Sequence, residues 1–154
     1  REGIRFNGTP GASYQDTSFV FQVWASARRA AILPKGYLHY RVDNANSSVK
    51  SSAKVFAVCD EYELSREFLA KDPEKQRAFG TIINLLKLGT YRWNFNRLTD
   101  ESRRAFVERM REEYLRAREE GTLDRDMFAP ADWEMLNLMM DDFDAFMARF
   151  ESGM

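Results

Sequence analysis

The residues whose types could do chemistry lie between residues 9 and 50. Asp16 stands where a glycine-rich turn gives way to a helix, in the segment TPGASYQDTSF. Carboxylates are among the side chains that serve as general bases. The same residue also has a purely structural interpretation. Ser13 and Asp16 have the spacing of a capping box, in which the acidic side chain accepts a hydrogen bond from the first residue's N–H.

A second group of polar residues follows a predicted strand with the sequence YLHYR. It contains His39, whose imidazole can coordinate a divalent ion, and Arg41, whose planar fork suits a pair of phosphate oxygens. The polar loop behind it contains Ser47, Ser48 and Lys50. Each residue also has an ordinary interpretation. His39 could simply form a hydrogen bond within the strand, Arg41 could form a surface salt bridge, and the other three could be plain loop residues.

The elements that must position these residues fall into two regions. Residues 1–50 hold turns, a helix opened by Ser13, and short strand candidates at residues 31–33 and 37–41. From about residue 51 the helical pattern continues nearly to the end. We therefore predict a mainly α chain with a few short β-strands near the N-terminus.

Apolar spacing in the first predicted helix defines a stripe that we expect to be buried. The stripe comprises Phe19, Val20, Val23, Trp24 and Ala27. Trp24, Trp93 and Trp133 all fall on apolar helical faces, which favours core packing over a ligand-binding role.

Later helix boundaries carry recognisable signals. One helix ends near Asp72 and Pro73, and Thr99 is a predicted N-cap. Gly121 ends the helix that follows, and Pro130 suits a first helical position. A last short helix carries Phe143, Phe146 and Phe150.

Composition limits the function classes. The 23 basic and 24 acidic residues nearly cancel and are interleaved along helices, which gives no electrostatic case for nucleic acid as a partner. A single cysteine, Cys59, cannot form an internal disulfide, which fits a cytoplasmic protein. No apolar run reaches the roughly 18 to 20 residues of a membrane span.

Together these segments resemble the acceptor-side and donor-lid motifs of bacterial family 2 glycosyltransferases, which have the GT-A fold. The resemblance rests on TPGASYQDTSF and on YLHYR with the loop NANSSV behind it. It extends into KVFAVCDEY and YRWNFNRL, and is weaker from about Thr99 onward. It implies that residues 1–50 are the C-terminal portion of a GT-A catalytic domain, and that residues 51–154 are a helical extension.

The resemblance also implies roles for individual residues. Asp16 matches the family's catalytic base, which removes the proton of an acceptor hydroxyl as it attacks the anomeric carbon with inversion. Many relatives carry Glu-Asp where this chain has Gln15-Asp16, so a second carboxylate is absent. Arg41 would contact the donor diphosphate, and His39 would reach a divalent metal, Mn²⁺ or Mg²⁺. The loop that closes over the nucleotide-sugar donor would contain Ser47, Ser48 and Lys50.

For the whole protein, the resemblance implies transfer of a sugar to a glycan or lipid-linked acceptor in cell-surface polysaccharide synthesis. The family's metal-binding Asp-x-Asp belongs to its nucleotide-binding half, whereas Asp124-Arg125-Asp126 lies between predicted helices. The chain starts at Arg1 and not at methionine, so we expect that half upstream. We also expect peripheral association of the tail with the inner membrane face. The rival hypothesis is a non-catalytic helical interaction or regulatory module.

Overall fold

The computed structural model describes residues 3–8, 13–39, 54–151 and 153–154. Within these ranges the regular structure is helical, as predicted. The helices are α1 (Gln15–Ser26), α2 (Ala57–Ala70), α3 (Pro73–Arg97), α4 (Asp100–Glu119), α5 (Pro130–Asp141) and α6 (Phe143–Phe150), with a short 3₁₀ helix at Arg125–Met127.

The start of α3 shows how local signals set a helix boundary. The Asp72 carboxylate accepts hydrogen bonds from the backbone N–H groups of Glu74 (3.0 Å) and Lys75 (3.3 Å). Pro73 takes the first helical position, where its missing N–H costs nothing. The helix then continues through Gly89 without a break.

The boundaries predicted after α3 are confirmed in position, although the Thr99 side chain makes no capping hydrogen bond. Helix α4 follows Thr99 and ends at Glu119, two residues before Gly121, whose φ of +67° suits a residue without a Cβ. Helix α5 starts at Pro130, and α6 spans Phe143–Phe150.

The predicted β-strands are not found in the described residues. Residues 31–33 and the described part of 37–41 form no strand, and the side chains of residues 31–39 are exposed. Ile32 is 89% exposed and Leu38 is 82% exposed. A β-branched or aromatic run forms a strand only where a neighbouring strand pairs with it. The last two residues of the second run lie outside the described residues.

The buried face of α1 also differs from the prediction. The side chains that point into the core belong to Ser18, Phe21 and Ala25. The predicted stripe is mostly exposed, at Val20 (47%), Val23 (41%) and Trp24 (58%), with Ala27 exposed just beyond the helix and Phe19 half-buried. Trp93 is likewise 50% exposed, so the expectation of core packing fails for two of the three tryptophans.

Helices α2 to α6 share one apolar core, to which α1 contributes Phe21 and Ala25. Its centre holds fully buried aromatic side chains from α3, α4 and α6. The ring centroids of Tyr91 and Phe106 lie 5.3 Å apart across the α3–α4 contact. The domain boundary predicted at residue 50 falls outside the described residues.

A buried polar cluster ties α3 to α4 inside this core. The Glu113 carboxylate accepts hydrogen bonds from the Tyr91 hydroxyl (2.7 Å) and from Arg109 Nε (2.8 Å), and it lies 3.4 Å from Lys87 Nζ. The Lys87 ammonium also lies 4.6 Å from the centre of the Tyr114 ring. Burial lowers the pKa of Lys87, and the nearby Glu113 carboxylate opposes that shift.

Replacing Glu113 by alanine should strongly destabilise the fold. The change leaves the buried Lys87 and the Tyr91 hydroxyl without their acceptor, and removing one partner of a buried pair costs about 3–5 kcal/mol. Urea unfolding measures this free energy. The matched control is Glu134→Ala, which breaks an exposed pair with Arg149 and should cost less than about 1 kcal/mol. Equal costs for the two variants would contradict this role for the cluster.

A second ion-pair group joins α2 to α4 nearer the surface. Glu63 accepts hydrogen bonds from Arg66 (2.6 Å) on its own helix and from Arg116 (2.6 Å) on α4. The hydrogen bond from Arg66, together with the charge of Arg116, lowers the pKa of Glu63 from 4.5 to about 2.

This lowered pKa predicts that part of the unfolding free energy depends on pH, and Glu63→Gln should remove that part. Because the folded pKa lies below the unfolded one, the stabilisation is complete above pH 4.5 and is lost as the pH falls toward 2. The difference in unfolding free energy between the wild type and the variant should shrink between about pH 7 and about pH 3. Urea titrations at both values measure it. An unchanged difference would show that this carboxylate is not linked to acid unfolding.

Candidate functional site

Asp16 lies in the first turn of α1, with its side chain exposed at the edge of a groove. The groove runs between α1 and α3 and has a volume of about 530 Å³, within the usual range of small-molecule sites. Its apolar lining comes from Val20, Phe21 and Trp24 of α1 and from Phe79, Ile82 and Leu86 of α3. Two residues of the exposed stripe, Val20 and Trp24, thus lie in one wall of a groove that has a carboxylate at its edge.

The turn before Asp16 has an unusual backbone. Tyr14 occupies the N-cap position with φ +61° and ψ +7°, in the left-handed region. The helix therefore begins one residue later than the capping box of Ser13 and Asp16 requires. In the part of the chain that the structure describes, the Asp16 carboxylate makes no hydrogen bond or ion pair, so the capping interpretation is wrong.

Contacts with α3 hold this turn in place. The Tyr14 hydroxyl donates to Asn94 Oδ1 (2.7 Å) and accepts from Arg97 Nε (2.9 Å). Arg97 Nε also donates to Asn94 Oδ1 (3.0 Å), which closes a three-residue network. Asn94 Nδ2 donates to the backbone carbonyl of Val55 (3.1 Å). The Tyr14 and Trp93 rings meet edge to face with centroids 6.0 Å apart.

A buried carboxylate on α2 holds the next turn of α1. Glu61 is 1% exposed and accepts a hydrogen bond from the Ser18 hydroxyl. Its other oxygen accepts from Asn7 Nδ2 at 2.8 Å. Ser18 is itself 1% exposed, so α1, α2 and the N-terminal segment meet at this carboxylate.

The other predicted site residues are not brought to Asp16 by the described part of the structure. His39 is exposed and ends the described range 13–39. Arg41, Ser47, Ser48 and Lys50 lie outside the described residues. Among the residues described, no group of three or more His, Cys, Asp or Glu side chains is arranged to hold a metal ion.

Two other candidate groups have structural roles. The Asp124 carboxylate accepts a hydrogen bond from the Asp126 N–H (3.0 Å) and caps the 3₁₀ helix. Cys59 is fully buried, and that burial raises the pKa of its thiol to about 12. A buried, protonated thiol is a core residue and not a nucleophile.

Sequence reasoning missed the residues that hold the Asp16 turn. Glu61 had a detectable signal: it lies three residues after Val58 and eight before Leu69, spacings that place a carboxylate on the core-facing side of α2. Asn94 and Arg97 had no signal in the sequence, because their partner Tyr14 is 80 or more residues away.

Comparison with family models, curated proteins and solved structures gives no match for this chain. None of the helices in the described residues is long and apolar enough to cross a membrane.

Proposed function

We propose that this chain forms the acceptor-side part of a family 2 glycosyltransferase, in which Asp16 is the general base. The observation that carries the proposal is the position of Asp16, an exposed carboxylate with no partner among the described residues, at the edge of a ligand-sized groove. A base must be accessible to its substrate, and this side chain is exposed.

The proposed reaction is a sugar transfer with inversion. An acceptor hydroxyl attacks the anomeric carbon of the donor, on the face opposite the diphosphate. A new carbon–oxygen bond forms while the bond from the anomeric carbon to the diphosphate oxygen breaks. The nucleoside diphosphate leaves with the electron pair of that bond, and Asp16 takes the hydroxyl proton.

The groove supplies a surface for the acceptor. Trp24 is exposed in its wall, about two turns of helix from Asp16. An exposed aromatic ring and a carboxylate in the same groove suit an acceptor sugar, because a sugar ring has an apolar face and hydroxyl edges. The apolar lining also suits the carrier of a lipid-linked acceptor. We place the reaction at the cytoplasmic face of the membrane, in cell-surface polysaccharide synthesis.

The donor side of the proposal rests on the sequence resemblance. Arg41 binds the diphosphate of the nucleotide-sugar, and the loop with Ser47, Ser48 and Lys50 closes over it. A divalent metal, Mn²⁺ or Mg²⁺, would neutralise the diphosphate charge. Within the described residues, His39 has no companion ligands for such an ion, so we assign no step to it. The nucleotide-binding half of the GT-A domain would precede this chain.

The second candidate function is a non-catalytic interaction module. The observation in its favour is the exposed apolar surface of residues 20–38, where Val23, Trp24, Ile32, Leu33 and Leu38 are all more than a third exposed. Exposed apolar patches of this kind often mark protein contacts. The module needs no role for the Asp16 carboxylate, so a test of that residue separates the two functions.

Asp16→Asn in the full-length protein should lower kcat of sugar transfer by about 10² to 10⁴-fold, because the amide cannot accept the hydroxyl proton. A screen of nucleotide-sugar donors with the wild type identifies the substrate for this assay. The matched control is Asp60→Asn, which removes an exposed carboxylate from the first turn of α2 and should leave kcat unchanged. Transfer at the wild-type rate by Asp16→Asn would rule out this mechanism. Absence of transfer with every donor would favour the module.

A further inference from the structure

Tyr14 adopts a backbone conformation that its side chain disfavours. A residue with a Cβ rarely has φ near +60°, and glycine or asparagine normally occupies such positions. Tyr14 is the only residue other than glycine with positive φ in the described part of the chain. Such outliers persist where surrounding contacts hold them, and they cluster at functional sites.

The contacts of the Tyr14 side chain hold this conformation. Its hydroxyl is hydrogen-bonded to Asn94 and Arg97, which lie on adjacent turns of one face of α3. The Arg97 guanidinium also lies 5.4 Å from the centre of each of the Tyr14 and Trp93 rings. A glycine would adopt the same φ without strain but could make none of these contacts.

A second anchor lies on the other side of Asp16. Ser18 is bonded to the buried carboxylate of Glu61 on α2. Tyr14 precedes Asp16 by two residues and Ser18 follows it by two, so the backbone of Asp16 is fixed from both directions. The Asp16 carboxylate has no bond of its own within the described structure, so its placement depends on these neighbours.

We infer that Tyr14 and Ser18 are positioning residues for the Asp16 carboxylate, and that Asn94, Arg97 and Glu61 act through them. This inference rests on the proposed function of Asp16 as a base. The two anchors hold the carboxylate at the groove edge before an acceptor binds, so its placement costs nothing at the moment of reaction. Catalysis is sensitive to such placement, because a shift of about 1 Å can cost about 10²-fold in rate.

The test uses Tyr14→Phe in the full-length protein, with transfer kinetics as the readout. This variant keeps the ring and loses only the hydroxyl that bonds to Asn94 and Arg97. We expect kcat to fall by about 10 to 100-fold, while the KM for the donor changes little. The matched control is Tyr114→Phe, which loses a hydroxyl bonded to the carbonyl of Asn84 (2.8 Å) in the buried core. It should lower the melting temperature but leave kcat unchanged.

A pair of substitutions at Asn94 separates positioning from general destabilisation. Asn94→Asp loses the hydrogen bond to the Val55 carbonyl but keeps an oxygen that accepts from both Tyr14 and Arg97, so it should retain most of kcat. Asn94→Ala loses all three hydrogen bonds and should have a much lower kcat. A purely structural role would lower the melting temperature of both variants without separating their kcat values.

The outcomes distinguish this inference from the proposed function. If Asp16→Asn transfers sugar at the wild-type rate, Asp16 is not the base, and the inference is overturned as well. If Asp16→Asn is inactive but Tyr14→Phe transfers as fast as Tyr114→Phe, only the positioning role is overturned. If Tyr14→Phe fails to fold, Ser18→Ala replaces it, and its kcat is compared with that of Tyr114→Phe in the same way. Equal kcat values would overturn the role of the second anchor and the inference with it.

Discussion

The arrangement of α1 depends on one buried carboxylate, that of Glu61. It accepts hydrogen bonds from Ser18 and from Asn7, and so joins α1 and the N-terminal segment to α2. A buried carboxylate is costly unless donors surround it, which makes these partners obligatory and not incidental. Since Ser18 must face Glu61, Phe21 and Ala25, three and seven residues later, face the core as well.

The opposite side of α1 is consequently left exposed. Val20 and Trp24 extend along one wall of the groove instead of entering the core, and Asp16 stands at its edge. A polar contact on the buried face thus determines where the apolar side chains of the other face lie. The proposed acceptor site is a direct consequence, because an α1 rotated to bury its apolar stripe would leave no such groove wall.

The sequence predicted the helical class and most of the helix boundaries after residue 70. Capping residues such as Asp72, prolines at first helical positions and Gly121 act within one helical turn, so their effect is readable locally. The buried face of α1 was not predicted, because the stripe was chosen by apolarity alone and the buried residue that orients the helix is a serine. The prediction of strands within residues 31–39 was wrong for a related reason: a strand depends on a pairing partner that no local pattern reveals.

The candidate site divides in the same way. Asp16 was predicted because its residue type and its place after a glycine-rich turn are visible in the sequence. Its supports were not, since the contacts of Tyr14 with Asn94 and Arg97 span 80 and 83 residues. The donor-side residues from Arg41 to Lys50 remain predictions.

The dependence of α1 on Glu61 is measured most directly by hydrogen–deuterium exchange of this chain with Glu61 replaced by leucine. Leucine has a similar volume but cannot accept a hydrogen bond. We expect the backbone amides of α1, Gln15–Ser26, to exchange at least about tenfold faster in the variant, while those of α4 keep their protection. Unchanged exchange in α1 would contradict it, as would an equal increase in α4, because either result would show that this carboxylate does not specifically hold the helix that carries Asp16.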